Sequence, residues 1–302
     1  MKRSNPAPSL TRRLARSLAH WSALALAPLL ALSVQTARAE DIIRVSGIPD
    51  ENPTELARKY QPLVDHLQKH LGVKVVYVPV IDYGAAVSAL GAGKVDFAWL
   101  GGFTFVQAKV MSGAKPVVMR DIDREFHSVF IANTAAGINK PEDLRGKSFA
   151  FGSKSSTSGH LFPRYFLSTT FKIDADKDFA GAPIYSGAHD ATVKMVESGK
   201  VQSGALNIEV WNRLVAGDKF DKTKVKVIWT TPPFVDYVWT ARKDLPAATV
   251  QKFANAFLTL DANKPEDKAV LDLQGAKKFV PANVEDFAVI EQVGRSTGLL
   301  KP

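Results

Sequence analysis

Residues 83–101, YGAAVSALGAGKVDFAWLG, laid on residues 189–207, HDATVKMVESGKVQSGALN, decide the fold class. At this constant offset of 106, Ala85/Ala191, Val87/Val193, Gly93/Gly199, Lys94/Lys200, Val95/Val201 and Leu100/Leu206 are identical. Each stretch reads as an amphipathic helix, a glycine that stops it and a buried strand. Capping and burial impose part of this pattern on any helix–glycine–strand unit. What the match adds is that Tyr83 and His189 take equivalent places in the first turn of the two helices.

The pattern extends outward on both sides. Strands at 42–48, 73–80, 95–100 and 116–119 alternate with helices, the first marked by Leu56, Tyr60, Leu63, Val64, Leu67 and Leu71 at spacings of three and four and closed by Gly72. A second round has strands at 128–132, 148–151, 183–185, 202–206 and 225–229, with helices at 141–144, 158–168, from Asp190 and at 210–215. From Leu245 onward helical periodicity dominates, as in Val250, Phe253, Ala254, Phe257 and Leu258. Strands alternating with helices imply βαβ units and a mainly parallel sheet in each half.

Lys2, Arg3, Arg12, Arg13 and Arg16 precede an apolar run at 21–34 and the triplet Ala37-Arg38-Ala39. That is the layout of a cleaved export signal, with the cut expected after Ala39; Arg12-Arg13 leaves a twin-arginine route open. The leader holds six of the 39 Lys and Arg residues and no Asp or Glu, so the mature chain has 33 cations against 30 anions and a net charge of +3. Such an interspersed balance speaks against nucleic acid as a partner. There is no cysteine, which excludes disulfides, thiolate metal sites, cysteine nucleophiles and a lipid tether on cysteine.

In open parallel sheets ligands bind beyond the carboxyl ends of strands, where helix N-termini present free N–H groups. Four segments fit: Asp82-Tyr83, Gly101-Gly102-Phe103-Thr104, Ser155-Ser156-Thr157-Ser158-Gly159 and Gly187-Ala188-His189. The hydroxyl run beside a glycine suits a tetrahedral oxyanion, although N-capping by one of its serines would explain it as well. His66 and His70 are four apart on one helix, but no third ligand follows, and Asp65, Gln68 and Lys69 mark a solvated face. No metal and no cofactor is expected. Asp82 reads as an N-cap, Trp99 and Trp239 as core, and Arg124 and Arg164 as salt-bridge partners.

FGSKSSTSGHLFPRYFL, with YSGAHDATV after it and DYGAAVSALGAGKVDFAWLGG before it, resembles the phosphonate-binding proteins of ABC importers over about residues 42–234. The resemblance implies an α/β, two-lobed type II periplasmic binding protein with the ligand cleft between lobes. Lobe 1 is then 40–127 plus 237–302 and lobe 2 is 128–236, with crossings near 127–130 and 231–236. It further implies that Tyr83, Ser156, Thr157, Ser158 and His189 meet the oxyanion, that Gly101 and Gly159 line it, and that Asp236, in TPPFVDYVW, is the cleft carboxylate. One departure is Leu100, where the family has a second cleft tyrosine. The subgroup most alike is associated with selenate or phosphite.

An exported, monomeric receptor that hands a small oxyanion to an inner-membrane permease accounts for these features without a nucleophile. Receptors of the same fold for selenate, sulfonates or nitrate are the nearest alternatives. A hydrolase using Ser156, His189 and Asp236 is the alternative of another class, but no strand-elbow G-x-S-x-G surrounds the serine. An ionised Asp236 can only accept hydrogen bonds, so it is expected to favour ligands that bring a P–OH, phosphite or a small phosphonate, over selenate, unless the carboxyl is itself protonated.

Overall fold

The computed structural model describes residues 42–300; the expected leader and its cut lie outside the described residues. The chain runs β1 (Ile42–Gly47), α1 (Pro53–Leu71), β2 (Lys74–Tyr77), α2 (Tyr83–Gly91), β3 (Phe97–Leu100), α3 (Gly102–Ser112) and β4 (Lys115–Arg120). It continues through β5 (Ser128–Asn133), β6 (Phe149–Phe151), α4 (Phe162–Thr169), β7 (Ile184–Tyr185), α5 (His189–Glu197), β8 (Ser203–Asn207), α6 (Ile208–Ala216) and β9 (Val225–Thr230). The return is β10 (Val238–Ala241), α7 (Ala247–Leu258), α8 (Pro265–Gln274), β11 (Phe279–Pro281) and α9 (Ala288–Ser296). The repeat holds in three dimensions: α2 and α5 start and stop at the same offset. Gly93 and Gly199 behind them both take left-handed φ, +67° and +75°, which a side chain would strain.

Two mixed sheets result, ordered β11-β4-β10-β3-β1-β2 and β7-β6-β8-β5-β9. The pairs β1/β2, β1/β3, β6/β7 and β6/β8 are parallel, as βαβ alternation requires. The remaining pairs are antiparallel, so the sheets are less parallel than alternation alone implies. The cause is connectivity. No long helix separates β4 from β5 or β9 from β10, so nothing carries the chain back to the end from which a parallel strand would start.

Both passages between the sheets run side by side. Phe126 and Phe234 exchange backbone hydrogen bonds at 2.8 and 2.9 Å, Thr231 N–H donates to Ser128 O at 3.0 Å, and Asp236 N–H donates to Asp123 O at 2.9 Å. Asp123 is fully buried and held by the Arg120 guanidinium, which stacks 5.2 Å from the Tyr237 ring.

The first sheet's core is aromatic. Trp99 and Trp239 are buried as expected, and Phe97 stacks on Phe253 at 3.7 Å. His66 departs from its expected solvated face: it is buried, with Nε2 2.6 Å from Ala256 O on α7. The helical return covers that face of α1, a contact between residues 190 apart that local charge patterning does not reveal. Among the described residues no cluster of metal-ligating side chains occurs. Nor is any described helix long and apolar enough to cross a membrane.

Candidate functional site

The hydroxyl run enters α4 through one wide helical turn at Thr157–Leu161, in which Leu161 N–H reaches back five residues to Ser156 O at 2.9 Å. The sequence explains the width. Pro163 has no N–H for Gly159 O, and that carbonyl instead accepts from Gly152 N–H at 2.8 Å. Ser156 Oγ caps the turn by accepting from Gly159 N–H at 2.9 Å. Capping therefore accounts for Ser156 Oγ as an acceptor, while its proton stays available to the Tyr83 phenol beside it. Gly159 is packed so closely that a Cβ would sit 3.0 Å from His189 Cε1 and 3.1 Å from Gly152 Cα.

Facing this turn is the start of α3, whose N–H groups the protein itself occupies. Gly102 N–H donates to Asp236 Oδ1 at 3.0 Å and Phe103 N–H donates to Thr157 Oγ1 at 3.0 Å. At Gly101 a Cβ would lie 3.1 Å from Thr157 Oγ1 and 3.2 Å from Asp236 Oδ1, so glycine permits the close approach there. Asp236 is buried, and burial raises its carboxyl to about 7 despite the Thr157 hydroxyl and the Gly102 N–H. Burial thus favours the protonated carboxyl, the case in which bare dianions are not repelled.

Tyr83 and His189 open their helices at the two repeat-equivalent places and are both buried. Burial, then the carboxylates Asp50 and Asp236, hold the Tyr83 phenol well above its usual range, so it stays a donor. Burial drops His189 to about 3, so the imidazole is neutral. Asn207 N–H donates to its Nδ1 at 3.4 Å, which puts the ring proton on Nε2. Among the described residues, five buried side-chain polar atoms have no partner: Tyr83 Oη, Ser158 Oγ, His189 Nε2, Asp236 Oδ2 and Trp239 Nε1. Four belong to the set named from sequence. The set is continuous in space, since Ser156 adjoins Tyr83, Gly159 joins Ser156 to His189, and the Thr157 and Ser158 hydroxyls influence the Asp236 carboxyl without closing an aligned bond to Oδ2.

Several supporting residues escaped sequence reasoning. Tyr237 Oη donates to Asp50 Oδ2 at 2.8 Å and accepts from Asn207 Nδ2 at 2.9 Å, tying the cleft wall together. Behind the hydroxyl run, buried His160 donates from Nδ1 to Lys154 O at 2.7 Å. Its Nε2 accepts from Arg164 Nε at 3.1 Å, and Arg164 pairs with Asp176 at 2.7 Å. Arg124 pairs with Asp286 at 3.0 Å, so both arginines are salt-bridge partners as read. Histidine and arginine four apart in STSGHLFPR were the available signal; nothing local marks Asp50 or Asn207.

This arrangement has no relay for a nucleophile. Asp236 bonds Gly102 rather than His189, and His189 Nδ1 takes a backbone N–H, so no carboxylate orients the imidazole as acyl transfer requires. Neutral donors around one buried carboxyl instead suit reversible binding of an anion.

Known proteins agree. Residues 45–287 match the family model described as "ABC transporter, phosphonate, periplasmic substrate-binding protein". The Prochlorococcus marinus protein named "Probable ABC transporter phosphite binding protein PhnD1" is 35% identical over 272 residues, covering 86% of this chain and 91% of that one. The solved structure of PhnD1 with methylphosphonate superposes with a TM-score of 0.82 at 34% identity, over 86% of this chain and 99% of that one. The phosphonates-binding periplasmic protein of Escherichia coli is 28% identical over 293 residues, 94% of this chain and 85% of its own. These relatives are binding proteins rather than enzymes, and their fold is the two-lobed type II one. With most of its length matched, the chain belongs to the phosphonate periplasmic substrate-binding proteins of ABC transporters.

Proposed function

We propose that this chain captures phosphite or a small phosphonate between its two halves and delivers it, unchanged, to the permease of an inner-membrane ABC transporter. One observation carries the reading: Tyr83 Oη, Ser158 Oγ, His189 Nε2 and Asp236 Oδ2 are buried without partners on elements of both halves. An unmet buried polar group costs about 1–3 kcal/mol, so a ligand that satisfies four at once has a strong drive to bind. Three of them donate, matching bare oxyanion oxygens, and the carboxyl matches a ligand oxygen across one shared proton. Phosphite and methylphosphonate monoanions bring that proton; sulfate and selenate need it on Asp236. Fully buried Leu100, in place of a tyrosine, suits ligands with only hydrogen or methyl on phosphorus. PhnD1 with methylphosphonate supports the same class.

In this reading Ser156, Thr157, Gly101 and Gly159 shape and orient the pocket. The halves are 40–127 plus 237–302 and 128–236, hinged at the Phe126–Phe234 ribbon, and the mature monomer begins at Glu40 in the periplasm. Calorimetric titration with phosphite, methylphosphonate, sulfate, selenate and nitrate tests it. The expected result is one equivalent of phosphite or methylphosphonate bound most tightly and recovered intact by phosphorus NMR. Tighter binding of nitrate, or turnover of the ligand, would overturn it.

A further inference from the structure

We infer that the loop Asp50-Glu51-Asn52, leading into α1, is a latch that sets ligand affinity by holding the two halves together through Asp190 and Arg213. The inference rests on the proposed site between the halves and concerns residues outside its oxyanion-facing set. Three consecutive residues bond across the cleft. Asp50 O accepts from His189 N–H at 2.9 Å, Glu51 Oε1 accepts from Arg213 Nη2 at 2.8 Å, and Asp190 Oδ2 accepts from both Asn52 N at 3.1 Å and Asn52 Nδ2 at 3.0 Å.

The chemistry of each contact suits repeated opening. Asn52 Oδ1 is fixed as the cap of α1, accepting from Thr54 N–H at 3.1 Å and Glu55 N–H at 3.2 Å, so its Nδ2 is held outward as a donor. Glu51 is buried, with its side chain only 5% exposed, and is also paired with Lys59 on its own side. When Arg213 withdraws, Lys59 remains, so opening strands no buried charge. Lys59 and Arg213 together outweigh burial and keep the Glu51 carboxyl below its usual range, ready to re-form the bridge. Asp190 adjoins His189, and the Asp50 carbonyl holds the His189 N–H, so closing the loop also seats the imidazole.

Apparent affinity scales with the fraction of molecules in the binding-competent arrangement. A weakened latch should therefore reduce affinity for every ligand by the same factor. Asn52→Asp isolates the effect, because aspartate caps a helix as well as asparagine does but faces Asp190 as a like charge. Phosphite and methylphosphonate affinities should both fall about tenfold, with their ratio unchanged and the melting temperature retained. Adding Asp190→Asn reverses donor and acceptor and should recover most of the loss. The cysteine-free chain also accepts dyes at Ser88→Cys and Ser198→Cys, one in each half. Distance distributions without ligand should then show fewer closed molecules in Asn52→Asp than in the parent. Unchanged affinity and distances in a folded variant, or a changed ratio between the two ligands, would overturn the latch. If neither ligand binds the parent protein, the proposed function fails, while the ligand-free distances still decide the latch.

Discussion

Helix α2 begins at Tyr83 behind a side-chain cap, Asp82 Oδ1 accepting from Ala85 N–H at 2.7 Å, whereas α5 begins at His189 behind Ala188, which has no capping side chain. The first-turn acid of α5, Asp190, is engaged by Asn52. The repeat thus places two helix starts alike but leaves only one with a carboxylate as its cap. A phenol and an imidazole then serve the same end, each kept neutral by burial and each with one polar atom free. The difference lies in direction: a phenol oxygen can donate or accept, while Nε2 of this tautomer only donates. In the proposed reading the second half, with its hydroxyl run, supplies most of the donors. The carboxyl that answers it, Asp236, lies at the end of the second passage between the sheets.

The largest break in this division is expected from pH. Sulfate brings no proton, so it needs Asp236 protonated, and above about 7 the protonated fraction falls tenfold per unit. Sulfate affinity should drop about 50-fold between pH 7 and 9, and Asp236→Asn should flatten that slope. The sign for stability follows from the same group. Its folded value lies above the ordinary 3.8, so the ligand-free protein binds the proton more tightly than the unfolded chain does. That contribution is full below about pH 4 and is lost as pH rises to about 7. Calorimetric titrations and melts at several pH values check both, and a pH-independent sulfate affinity would mean that Asp236 stays away from the ligand.

Next in size is the contrast between the two sides. Thr157→Val keeps shape but leaves Phe103 N–H without its acceptor and removes the hydroxyl beside Asp236, so phosphite affinity should fall by about 2 kcal/mol. Tyr83→Phe removes only a hydroxyl, and about 1 kcal/mol is expected. Equal losses by calorimetry would erase the distinction between a hydroxyl that orders the cleft and one that meets the ligand. The smallest effect belongs to the caps. Asp82→Ala should lower stability by about 1 kcal/mol in a urea melt and leave affinity unchanged, whereas a large affinity loss would give that carboxylate a part in the site.

Much of this was legible because it is local or periodic. The repeat, the buried strands, the hydroxyl run and the helix starts all follow from spacing, and the resemblance added Asp236. What sequence concealed depends on chain returns. β10 has no helix before it and pairs with β3 and β4, more than a hundred residues away, while β11 is a three-residue edge strand ending in Pro281. His66 meets Ala256 only because α7 folds back on α1. Whether Asp236 holds a proton was likewise left open by the sequence, since a carboxylate's charge is set by the solvent it loses, and that loss exists only after folding.

The paired backbone at Phe126 and Phe234 makes the middle of the chain, topologically, an insertion whose two ends meet. A single exchange of genetic segments with breakpoints there would carry Ser156, Thr157, Ser158 and His189 together into a related scaffold and leave Tyr83 and Asp236 behind. In the proposed reading, most of the donors can therefore be inherited apart from Tyr83 and the carboxyl, and new anion preferences can arise by shuffling whole cassettes as well as by point substitution.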